Sequence, residues 1–174
     1  MGSRVAVYPG VVTAEAPGIS QVTRVAAYAV CIDAGRILLA RWVGPDRKQW
    51  TMPGGGVEHG EDPFHAVIRE TLEETGYAIA IESLLGIDSV HRRHPPSGSG
   101  SEIDFHAIRI IYAARVVAGS LRPEIGGSTD QAAWIDLDKV AGLDRVDLVS
   151  VALDLYRIRP ASGWLPGEAR KNAT

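Results

Sequence analysis

Residues 53–77 (PGGGVEHGEDPFHAVIRETLEETGY) constrain this chain more than any other stretch. A run of glycines, a spaced glutamate and an acidic helix-forming segment follow one another within them. At about 100° per residue, 63–75 predicts a helix with two unlike faces. Phe64, Val67, Ile68, Thr71, Leu72 and Thr75 form one broad stripe, and Glu70, Glu73 and Glu74 lie roughly opposite. Asp62 before Pro63 predicts the start, an Asp N-cap with proline at the first helical position. Gly76 predicts the stop.

Glutamates spaced i, i+3 and i+4 repel one another on an isolated helix. Such faces are commonly just solvated surface, and glycine-rich turns are commonly just turns. A cation between the carboxylates would offset the repulsion. Hard Mg²⁺ or Mn²⁺ takes carboxylate oxygens together with substrate phosphates. Gly54, Gly55 and Gly56 let the backbone approach a metal or a phosphate closely. The combination points to metal-assisted attack of water on a phosphoanhydride.

The order of these residues resembles the Nudix box of the Nudix hydrolases. Gly55, five residues, Glu61 and seven residues lead into Arg69-Glu70-Thr71-Leu72-Glu73-Glu74-Thr75-Gly76-Tyr77. Every fixed polar and glycine position of the pattern is matched. Thr71 and Tyr77 stand where an aliphatic residue is usual, and Thr71 still lies on the apolar stripe. The resemblance implies an α+β fold, a mixed β-sheet sandwiched between α-helices, with the box as loop–helix–loop.

The flanking chain is compatible with that fold. At 174 residues, with 45% hydrophobic and 22% charged residues, one globular domain is expected. A net charge of −3 gives no basic footprint for stable nucleic-acid binding. Cys31, the single cysteine, excludes an intramolecular disulfide and reads as a core residue. No stretch is long enough to span a membrane and no signal peptide is evident, so the chain reads as cytoplasmic.

Residues 1–21 read as an N-terminal arm or extra edge strand, over the body or over a partner subunit in a homodimer. Residues 22–160 form the expected domain. Within it, 22–32 is a near-continuous apolar run, predicting a strand buried on both faces. Strands follow at 36–41, 78–87, 102–117 and 134–137, with loops at 42–50, 91–100 and 121–133. A helix is expected at 144–157, and 161–174 reads as a frayed tail.

Site roles follow from the resemblance. It makes Glu73 and Glu74 ligands of a divalent metal, and Glu70 a ligand or the base that takes a proton from water. The carbonyl of Gly54 or Gly55 is a further candidate ligand. Arg69 is expected to hold a glutamate or a loop carbonyl in place. Glu61 orients the helix start or ligates weakly, with an ion pair between Arg69 and Glu61 as the plainer reading. Family members recruit one more carboxylate from a loop before the last strand. Glu124 is the choice here over Asp130, Glu102 and Asp104, Asp130 being assigned to the Gly-Gly-Ser-Thr turn. Arg41, Arg92 and Arg93 are expected to meet substrate phosphates, and Trp50 to pack under its loop. The implied substrate is a nucleoside diphosphate linked to another moiety: a nucleoside triphosphate, ADP-ribose or a nucleotide sugar. A nucleotide-sensing module and an isoprenyl-diphosphate isomerase are the alternatives on the same fold. The isomerase needs a well-placed cysteine, and the sensor is at odds with an intact box.

Overall fold

The computed structural model describes residues 11–16, 18–94 and 102–165. Its organising strand is β2 (Ile19–Asp33), whose neighbours in sequence point to opposite sides, as strand geometry requires. Ala26, Tyr28 and Val30 enter one hydrophobic cluster, and Ala27, Ala29 and Cys31 enter another. The apolar run is therefore a strand buried on both faces.

Around β2 lie β1 (Val11–Ala16), β3 (Arg36–Val43), β4 (Lys48–Thr51), β5 (Gly54–Gly56), β6 (Tyr77–His94), β7 (Glu102–Gly119) and β8 (Thr129–Asp136). They make an eight-stranded sheet with the path β4-β3-β2-β7-β6. β2 and β7 run parallel, and the other pairings are antiparallel. Helix α1 (Pro63–Thr75) packs on one side through Ala66 and Val67. Helix α2 (Asp147–Ile158) packs on the other through Leu148, Val149, Ala152 and Leu155. The expected sheet between helices is what the chain forms.

Several boundaries move. Residues 11–16 pair with 19–24 of β2, so the part of the N-terminal stretch described here is a strand; residues 1–10 lie outside the described residues. Residues 91–94, expected as the start of a loop, extend β6, with His91 opposite His106 and His94 opposite Ile103. The reason is cross-strand charge: His91 bonds Asp104, and Arg93 lies 3.9 Å from Asp104 and 4.0 Å from Glu102. The rest of that loop, through Gly100, is outside the described residues. Strand β4 and the first part of β8 likewise replace expected loop, since both complete the ladder on β3.

Residues 161–165 do not fray. The Ile87 N–H donates to Gly163 O at 3.0 Å, and Leu165 is buried in the α2-side core. A Cβ on Gly86 would stand 2.2 Å from Gly163 O, so the missing side chain admits this segment.

Candidate metal-hydrolase site

The box helix starts and stops where its local signals put it. Asp62 Oδ1 accepts from Phe64 N at 2.8 Å, Pro63 occupies the first turn, and Gly76 closes the end at φ 75°. The apolar stripe differs from the periodic expectation. Ala66, Val67, Thr71, Glu74 and Thr75 are buried, whereas Phe64 and Leu72 are exposed. The sheet covers the helix one step round from the plain apolar arc, because β5 offers Glu74 a partner there.

That partner is the Gly54 N–H, which donates to Glu74 Oε2 at 2.9 Å. Glu74 is only 3% exposed. Burial pushes its carboxyl well above the usual range, and Glu70, Glu124 and Glu73 push it further against the Gly54 bond. Burial also raises Glu70, opposed chiefly by its bond from Arg69. Gly55 sits against that carboxylate: a Cβ there would lie 2.5 Å from Glu70 Cδ.

Arg69 organises the cluster. Its Nε and Nη2 bind Glu61 at 2.9 Å each, as a fork on a carboxylate. Its Nη1 reaches Glu70 at 2.9 Å and Glu73 at 3.3 Å, and Nη2 also reaches Gly56 O at 3.2 Å. Both expected roles of Arg69, glutamate holder and carbonyl holder, coincide with the ion pair to Glu61. The Arg69 guanidinium holds the Glu61 carboxyl down at about 2.

Among the described residues, no three His, Cys, Asp or Glu side chains converge as they stand on a metal position. Glu70 and Glu73 lean on Arg69, while Glu74 leans on Gly54. The donor chemistry nonetheless fits a hard cation. Glu74 is a buried carboxyl, and Glu70, Glu124 and Glu73 all worsen its charged state. A divalent ion reverses each of those effects.

The candidates outside the helix separate. Glu124 lies near enough for its charge to act on Glu74. Its Oε2 also accepts from Thr129 N at 3.0 Å and Thr129 Oγ1 at 2.9 Å. Glu124, not Asp130, therefore organises the Gly-Gly-Ser-Thr turn. Asp130 instead takes Arg41 Nε at 2.9 Å and Lys48 Nζ at 2.7 Å. Arg41 is thus committed to a carboxylate, and its guanidinium also lies 5.8 Å from the Trp50 ring centre. Arg92 and Arg93 are on a strand and face opposite sides of the sheet. Arg92 stands 3.5 Å from Asp147 at the start of α2, and Arg93 turns to Asp104 and Glu102.

Sequence reasoning missed a buried ion network. Arg109 on β7 donates to Asp88 on β6 and, at 2.9 Å, to Asp147 on α2. These partners are 21 and 38 residues away, so no local spacing announces them. Cys31 sits in the hydrophobic cluster on which α1 packs. Burial pushes its thiol up to about 12, and it lines a cavity of about 570 Å³ with Arg36, Tyr77, Arg115 and Trp134. A neutral thiol so placed does not serve the isomerase alternative.

The family model described as NUDIX domain matches residues 22–153, which run from within β2 to the middle of α2. An ADP-ribose pyrophosphatase of Methanocaldococcus jannaschii is 34% identical over 107 residues, 62% of this chain and 57% of that protein. An RNA pyrophosphohydrolase of Saccharophagus degradans is 44% identical over 55 residues, 32% of each chain. The matched stretch thus spans about half or less of these relatives. A solved structure of a NUDIX hydrolase from Nitrosomonas europaea superposes with a TM-score of 0.61 at 24% identity, covering 78% of this chain and 89% of that one. Among the described residues no helix is long and apolar enough to cross a membrane. With the family model matching most of its length and Arg69 joining Glu61, Glu70 and Glu73 of the box, the chain belongs to the NUDIX domain family.

Proposed function

We propose that this chain is a divalent-metal-dependent pyrophosphohydrolase acting on a nucleoside diphosphate linked to another moiety, with ADP-ribose as the first substrate to test. The observation that carries the reading is Glu74. A carboxyl this buried, crowded by Glu70, Glu73 and Glu124, is costly unless a cation joins it. The match over 107 residues to the ADP-ribose pyrophosphatase of Methanocaldococcus jannaschii supports the substrate class.

Glu70, Glu73, Glu74 and the Gly55 carbonyl would hold Mg²⁺ or Mn²⁺. When bound, the ion supplies charge neutralisation at the diphosphate and an acidified water. Arg69 keeps Glu70 and Glu73 on the same side of α1 while anchoring α1 to the Gly56 carbonyl. Glu70 or Glu124 takes the proton from the attacking water. Glu124 comes from a different element, held by Thr129, so it keeps its place when the helix carboxylates are occupied.

The test is a panel of ADP-ribose, nucleotide sugars, nucleoside triphosphates and 5′-triphosphorylated RNA, assayed with Mg²⁺, with Mn²⁺ and with excess EDTA. Metal-dependent release of mononucleotide or phosphate, with ¹⁸O from water on a phosphorus-containing product, is expected. Full turnover in EDTA would sink the reading, as would tight binding of a panel member with no cleavage.

A further inference from the structure

The arginines around the carboxylates are mostly spent. Arg69 serves Glu61, Glu70 and Glu73; Arg41 serves Asp130; Arg109 serves Asp88 and Asp147. Arg24 differs. It lies on β2, two residues before Ala26, which pairs with Gly56 at the end of the glycine strand. Its Nε is buried with no hydrogen-bond partner among the described residues. The residue as a whole is only partly buried, so the far end of the fork is open to solvent. Its charge acts on Glu70 and on Tyr28, which pairs with Gly54.

A buried N–H without an acceptor is unfavourable. The acceptor that suits a planar fork on the strand paired with the glycine run, against which Glu70 lies, is a phosphate oxygen. On its strand Ala26 follows it by two positions, and it pairs with Ala107 on β7 and Val11 on β1. We infer that Arg24 is a substrate-anchoring residue, taking a phosphate oxygen of the nucleoside diphosphate whose scissile end lies at the α1 carboxylates.

This inference rests on the proposed function, and the experiment separates the two. The probe is α,β-methylene ADP-ribose, which is not hydrolysed, titrated calorimetrically in Mg²⁺ into wild-type protein, Arg24→Gln and Arg24→Lys. Loss of a charged hydrogen bond predicts an increase in Kd of about ten- to a hundredfold for Arg24→Gln. Arg24→Lys, which keeps the charge but not the fork, should recover part of it. Mn²⁺ affinity without nucleotide, read by electron paramagnetic resonance, should stay within twofold of wild type. A purely structural arginine predicts the reverse pattern, a lower Tm with an unchanged Kd, and that result overturns the inference alone. A wild-type protein that neither binds the analogue nor cleaves ADP-ribose overturns the substrate reading and the inference together.

Discussion

Replacing Glu74 by glutamine separates the cost of the site from its use. In metal-free protein the carboxyl is buried and its pKa lies well above the ordinary 4.5. At pH 7 the unfolded chain ionises it freely, while the folded chain either keeps it protonated or carries a buried charge. The first option sets a ceiling on the cost. Holding a proton at pH 7 on a group that would lose it at 4.5 costs about 1.4 kcal/mol per pH unit, roughly 3 kcal/mol in all. Because Glu74 is almost fully buried, solvent screening takes little from that figure.

Glutamine keeps the shape and can still accept from Gly54 N–H, so Glu74→Gln should stabilise the metal-free protein by about 1–3 kcal/mol. For a domain of this size that is a rise in Tm of very roughly 3–9 °C in EDTA. The sign with pH follows. A raised folded pKa makes wild type gain stability as pH falls from 7 towards 4.5, so the advantage of the variant should shrink over that range. Metal reverses the order. Mg²⁺ at a hundred times its Kd would stabilise wild type by about 2.7 kcal/mol, and the variant by far less. Scanning calorimetry of both proteins, with EDTA and with Mg²⁺, reads all four states. A variant less stable than wild type in EDTA, or one with an undiminished Mg²⁺ shift, would refute the reasoning.

Gly55→Ala should leave the fold intact yet lower kcat at least tenfold, because the new methyl displaces the flexible Glu70 carboxylate; Gly142→Ala, with open space around it, is the neutral control. Glu61→Gln should destabilise by about 1–2 kcal/mol at pH 7, and the loss should vanish in urea titrations as pH falls from about 5 towards 2, since the Glu61 carboxyl is held down by Arg69. Glu124→Gln should mainly lower kcat, whereas Asp130→Asn, which releases Arg41 and Lys48, should leave kcat within threefold; the opposite split in steady-state kinetics would exchange their roles. Thr71→Val should raise Tm by about 2–4 °C, because the buried Thr71 hydroxyl has no partner among the described residues.

What could be read from the chain beforehand was whatever is decided within a turn or two of backbone. Asp62-Pro63 and Gly76 mark α1 because capping is a local exchange between one side chain and the next few amides. The double-faced burial of β2 was legible because its apolar run is unbroken after Val25. Arg24 was the visible flaw in that run, and a charged residue placed so near a strand buried on both sides is itself a signal. The fate of Glu74 was not legible, since helical periodicity alone assigns it to the polar face. Its burial depends on an amide twenty residues away on β5, which the pairing of β5 with β2 brings beneath the helix. The continuation of β6 through Arg93 was hidden for a similar reason, as its acidic partners lie across the hairpin on β7.

The glycine run shows how one sequence signal divides between two physical demands. Gly54 adopts φ 135°, and a Cβ there would stand 2.2 Å from the Ala27 carbonyl oxygen. Its freedom is needed to bring β5 onto β2, whatever ligand is bound. Gly55 has an ordinary φ, and its missing side chain makes room for the Glu70 carboxylate. Gly56 lends its carbonyl to Arg69. The three residues therefore position the carboxylates first. The ligand role proposed for Gly55 draws on the same feature, since the absence of a side chain brings its backbone and the Glu70 carboxylate to one place.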